Sequence, residues 1–129
     1  MFKFSDRSEQ LLNTVHIDLN KLAHEVIKVS KVDFTITSAL RTQQEQDKLV
    51  ARGVSWNKNS KHILGKAIDV CPVINGKLDF EAERDLFYII GIFDCKAKEL
   101  GIKIRLGAFW DNPSIKQNRR TDGYHIEII

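Results

Sequence analysis

Two short stretches combine residue types that can do chemistry together. Ser60-Lys61-His62-Ile63-Leu64-Gly65-Lys66-Ala67-Ile68-Asp69 sets an imidazole and a carboxylate seven positions apart. Gly65 and Ala67, between them, let the chain pass close to a neighbour. Near the other end, Asp122-Gly123-Tyr124-His125 supplies a second carboxylate and a second imidazole. If folding brings His62, Asp69 and His125 together, two imidazoles and a carboxylate are a sufficient ligand set for one catalytic Zn2+ with water in the fourth position. Zinc lowers the pKa of that water from about 15.7 toward 7. A base must then carry the remaining proton to a leaving amine. Asp122, three residues before His125 at a glycine turn, is placed to reach the site without ligating. Arg41 offers a permanent charge for a substrate carboxylate or a developing oxyanion, with a surface or salt-bridging role as the plainer alternative. His-x6-Asp with a distant histidine is not a self-standing motif in the way that H-E-x-x-H is. A buried His62–Asp69 hydrogen bond beside a solvent-exposed His125 is therefore the competing arrangement.

These residues need elements to position them. Apolar side chains from Leu11 to Ile27 recur at spacings of three and four, which predicts one amphipathic helix over residues 8–29; His16 and His24 within it read as surface or packing residues. Asp33 to Ala39 alternates and is β-branched, a strand, with Arg41 at its exit. Thr42-Gln43-Gln44-Glu45 fits a capping box opening a helix that runs to about Arg52 and stops at Gly53. Residues 53–66 read as a long loop, a length that often marks function. Lys66 to Val70 reads as a strand with Asp69 on the face of Ala67 and Cys71, where an unpaired charge would be costly. Asn75-Gly76 is a hairpin turn signal. Residues up to Gly101 form the main core helix, Lys103 to Leu106 a half-exposed strand, and Tyr124 to Ile128 the last strand, with His125 and Glu127 on one face. The expected architecture is α+β, a small, mainly antiparallel sheet with flanking helices.

Composition narrows the class. A chain of 129 residues is expected to be one domain, residues 1–129, able to bury a core unaided. With 43% apolar and 29% charged residues it reads as an ordinary globular protein. No apolar run reaches the roughly 18 residues of a membrane span, and no signal peptide is visible at the N-terminus; the expectation is a cytosolic protein without stable membrane association. Cys71 and Cys95 read as free thiols packed as small hydrophobes. A net charge of +3 is too mild to imply nucleic-acid binding, although it favours approach to an anionic polymer such as cell wall.

The motifs also carry a family likeness. Ser60-x-His62-x-x-Gly65-x-Ala67-x-Asp69 resembles the S-x-H-x-x-G-x-A-x-D signature of zinc peptidases of the D-Ala-D-Ala carboxypeptidase type. Asp122-x-x-His125-Ile126-Glu127 resembles the element that closes their site, and Ser38-x-x-Arg41 with Glu45-Gln46 resembles their upstream elements. The likeness covers about residues 30–129. Compact size and an aspartate base look most like the L-alanyl-D-glutamate endopeptidases that serve as phage endolysins. Gly123-Tyr124 stands where relatives often have proline and phenylalanine.

The resemblance implies a zinc-dependent hydrolase of the peptide stems of bacterial peptidoglycan, on a fold shared with hedgehog signalling domains. By the same resemblance His62, Asp69 and His125 bind one zinc, Asp122 is the general base, and Arg41 stabilises the transition state or anchors a substrate carboxylate. Ser60 contacts substrate or supports His62, Trp110 lines the cleft, and Glu127 either orients His125 or is a plain surface group. It further implies a monomer without a separate wall-binding domain, waiting in the host cytoplasm for a holin-type protein to give it access to the wall. Three other readings stand beside this one. They are a D-Ala-D-Ala carboxypeptidase or dipeptidase, a non-catalytic zinc-containing binding module, which would have no need of Asp122, and a nucleic-acid-binding domain suggested by Lys116, Arg119 and Arg120. That last cluster lacks interleaved aromatics.

Overall fold

The computed structural model describes residues 1–53, 61–107 and 123–129. Ser60, Trp110 and Asp122 lie outside the described residues, as do Lys116, Arg119 and Arg120. In chain order the elements are α1 (Asp6–Leu12), α2 (Ile17–Val29), β1 (Phe34–Ser38), α3 (Gln43–Ala51), β2 (Ala67–Ile74), β3 (Lys77–Leu78), α4 (Glu83–Leu100), β4 (Ile104–Leu106) and β5 (His125–Ile128). The sheet runs β1-β2-β5-β4, with β3 hairpinned onto β2, and every described pairing is antiparallel. This is the α+β arrangement expected from the sequence.

One face of the sheet carries Phe34, Ile36, Ile68, Val70, Ile126 and Ile128, all buried. It joins a single core with Leu19, Leu22 and Val26 of α2 and Ile89, Ile90 and Phe93 of α4. Each such side chain contributes roughly 1.5–3 kcal/mol on leaving water. The other face carries Asp69, His125 and Glu127, and there the chemistry sits.

The single helix expected over residues 8–29 is broken. Asn13 closes α1 and His16 caps α2, its Nδ1 accepting the Asp18 N–H at 3.1 Å. Thr14 turns its hydroxyl onto the Leu11 carbonyl at 2.6 Å, the local bonding by which such residues compete with a helix. The apolar spacing runs through the break because both helices face the same core. The break also makes room for the turn that carries His62. The His16 N–H donates to the Gly65 carbonyl at 2.8 Å, and a Cβ on Gly65 (φ +66°) would stand 3.1 Å from the Thr14 carbonyl oxygen.

Other local signals behave as their chemistry dictates. The Thr42 hydroxyl accepts the Glu45 N–H and bonds its carboxylate, both at 3.1 Å, to start α3. Asn75 and Gly76 take φ of +53° and +78°, as a tight hairpin turn requires. Gly101 ends α4 in the left-handed region. β2 continues past Val70 through Pro72, whose carbonyl receives the Asp79 N–H at 2.9 Å. β1 is an edge of the described sheet, and α1 covers it: the Ile36 N–H donates to Ser8 Oγ at 3.1 Å and Arg7 to the Ile36 carbonyl at 3.3 Å. Both thiols are free, but only Cys71 is buried; Cys95 is exposed, on the outer side of α4, so the expectation that it packs as a hydrophobe is corrected.

Candidate metal centre

Register builds the centre. Asp69 of β2 pairs with His125 of β5 on one side and with Ser38 of β1 on the other, past an irregularity between Ile36 and Ser38. His62 comes from the turn before β2, where the Lys61 carbonyl collects the Leu64 and Lys66 N–H groups at 3.1 and 3.0 Å. One donor atom from each of His62, Asp69 and His125 lies within 4.8 Å of the others. The histidines are 2% and 4% exposed, which decides against the arrangement with a solvent-facing His125. Their rings meet edge to face with centroids 5.0 Å apart.

The outer nitrogens determine what the inner ones offer. His62 Nδ1 lies 2.8 Å from the Ala39 carbonyl, which can only accept, so that nitrogen carries the proton and Nε2 turns toward Asp69 Oδ2 at 3.3 Å. His125 Nε2 lies 2.9 Å from Glu127 Oε1, and its Nδ1 faces Asp69 Oδ1 at 3.3 Å. With the protons so placed, two imidazole lone pairs and a carboxylate converge, a set that a cation satisfies. Donor atoms about 2.0–2.1 Å from one tetrahedral zinc lie roughly 3.3 Å apart, the distance of each Asp69 oxygen from the histidine that it faces. In the metal-free protein burial works against the charge on Asp69, but His125 and His62, when protonated, turn N–H donors and positive charge onto it, which outweighs burial and holds the carboxyl well below the usual carboxylate range. The three residues therefore form a site able to hold a metal ion.

Arg41 joins the centre. Its guanidinium donates to Gln46 Oε1 and Ser38 Oγ, both at 2.6 Å, and stands 3.6 Å from Asp69 Oδ2. Its backbone N–H donates to the His62 carbonyl at 3.0 Å. Two neutral acceptors thus orient the group, and the Asp69 carboxylate pairs with it, so the salt-bridging role open to Arg41 is met inside the centre. The roles of Gln46, fully buried on α3, and of Ser38 escape sequence reasoning. Both sit in the elements that carry the resemblance, yet neither element says what they hold. Glu127 is 4% exposed, so it is not a surface group.

Known proteins resemble this chain over its whole length and in its fold. The model of the phage L-alanyl-D-glutamate peptidase family matches residues 1–129. The L-alanyl-D-glutamate peptidase of Escherichia phage T5 is 39% identical, covering 99% of this chain and 98% of its own. Among solved structures, the L-Ala D-Glu endopeptidase ChiX of Serratia marcescens superposes with a TM-score of 0.84 at 29% identity, over 99% of this chain and 90% of that one. The vancomycin-resistance D,D-dipeptidase VanXYg shares the fold, with a TM-score of 0.54 at 12% identity, over 88% of this chain and 50% of that one. The chain belongs to the phage L-alanyl-D-glutamate peptidase family. The family match takes in α1 and α2 as well as the region from about residue 30.

Proposed function

We propose that this chain is a zinc-dependent endolysin that hydrolyses the L-alanyl-D-glutamate bond in the peptide stem of peptidoglycan. The observation that carries the reading is the buried convergence of His62, Asp69 and His125, each histidine anchored through its second nitrogen, in a chain of this family. His62 Nε2, an Asp69 oxygen and His125 Nδ1 are the ligand atoms. Bound there, zinc supplies Lewis acidity toward water and the scissile carbonyl. Arg41, held between Ser38 and Gln46 at the edge of the site, binds a substrate carboxylate or the oxygen that gains charge as the bond breaks. Asp122 takes the proton from water and returns it to the departing amine, a role assigned from its position before His125. Ser60 and Trp110 are assigned to substrate contact by their place in the sequence.

None of the described helices is long and apolar enough to cross a membrane. The reading has the protein acting as a monomer on the wall after a holin-type partner permeabilises the host membrane.

The test is product analysis on purified peptidoglycan. Cleavage at L-alanyl-D-glutamate exposes the amino group of D-glutamate and leaves soluble stem peptides beginning with it. Release of D-alanine alone would replace this reading with the carboxypeptidase one. Asp122→Ala is expected to keep its zinc and lose at least about 100-fold in rate, the scale of general-base loss; full activity in that variant would remove Asp122 from the mechanism.

A further inference from the structure

Lys61 is not among the residues that carry the family resemblance, yet its side chain bridges the two halves of the centre. From the turn bearing His62 it reaches β5, donating to the Ile128 carbonyl at 2.9 Å and lying 3.4 Å from Glu127 Oε2. The other oxygen of Glu127 accepts the His125 Nε2–H at 2.9 Å. The chain of contacts Lys61–Glu127–His125 therefore ends at the imidazole whose opposite nitrogen faces Asp69. A carboxylate as buried as Glu127 is costly without an opposite charge beside it. Its cross-strand neighbours are Ala67, which carries no charge, and Arg105, and Lys61 brings a positive charge to it from the turn before β2.

We propose that Lys61 is a positioning residue for the metal centre. By pairing with Glu127 it fixes the His125 ring with Nδ1 turned into the site, and it ties the His62 turn to the strand that bears His125. Groups that hold a ligating histidine from behind are commonly worth about 10–100-fold in metal affinity. The inference rests on His62, Asp69 and His125 being the metal ligands.

The test is Zn2+ affinity, measured by competition with a chromophoric chelator, and the visible spectrum of the Co2+-substituted protein. Lys61→Met keeps the stem and removes the ammonium; it is expected to bind Zn2+ about 10-fold or more weakly and to alter the Co2+ spectrum. Lys61→Arg should restore most of the affinity. In a Glu127→Gln background, Lys61→Met should have little further effect, because its partner is already neutral. Lys61→Gln, which can still donate to the Ile128 carbonyl, replaces Lys61→Met if that variant fails to fold. Unchanged Zn2+ affinity, equal loss in Lys61→Arg, or full additivity with Glu127→Gln would each overturn the proposal. His125→Ala separates the two levels: if it binds Zn2+ as tightly as the wild type, the ligand assignment itself fails, whereas loss there with no loss in Lys61→Met sinks only the role of Lys61.

Discussion

Asp69 and His125 face each other directly across the β2–β5 ladder, with carboxylate oxygen and imidazole Nδ1 3.3 Å apart. The two are far apart in the chain, so the centre exists only when the last strand pairs in this register. A slip of one residue would send His125 to the apolar face, where Ile126 and Ile128 now lie.

Arg41 is oriented by Ser38 and Gln46, with the Asp69 carboxylate 3.6 Å away. Arg41→Ala should lower kcat/KM by about 10²–10³, the usual cost of one stabilising donor in the transition state. Gln46→Ala should act at one remove, lowering activity less while destabilising the fold by about 1–3 kcal/mol, because a buried donor loses its acceptor. Steady-state kinetics with urea unfolding on both variants checks this; an unaltered rate in Arg41→Ala would leave the guanidinium a structural group.

Gly65→Ala should destabilise the protein by about 1–3 kcal/mol. The residue sits at φ +66° with the Thr14 carbonyl oxygen 3.1 Å from where a Cβ would go, so the substitution adds backbone strain to a tight contact. Because the turn also carries His62, zinc affinity should fall with it. Equal unfolding midpoints for variant and wild type would show that the turn adapts freely.

The depressed Asp69 carboxyl makes the metal-free fold acid-sensitive. A group whose folded value lies below its unfolded value of about 3.9 stabilises fully above that value and loses the contribution as pH falls through the folded one. Metal-free wild type should therefore lose stability below about pH 4 more steeply than metal-free Asp69→Asn. Urea unfolding across acid pH measures the two slopes, and parallel curves would contradict the assignment.

Much of this was legible locally. The capping box at Thr42 and Glu45 and the Asn75-Gly76 turn each rest on contacts between near neighbours in sequence, and each formed; the alternation around Asp69 showed the strand, though not its distant partners β1 and β5. What was not legible depends on distant contacts. The break at Asn13–His16 is hidden by an apolar stripe that serves both helices, and one contact that it makes, from the His16 N–H to the Gly65 carbonyl, reaches some fifty residues on. Between the two roles the sequence leaves open for Glu127, orienting His125 or lying on the surface, the choice falls to the distant Lys61 turn, which reaches it. Ser38 and Gln46 are ordinary polar residues until the fold sets them around Arg41.

The measurement that bears most directly on a metal-dependent peptidase is turnover of a purified peptidoglycan stem peptide after zinc has been stripped and then returned. Activity should vanish on chelation and return with about one equivalent of Zn2+ per chain, while His125→Ala stays inactive. Undiminished cleavage by protein verified to be free of metal would contradict the central role given to His62, Asp69 and His125.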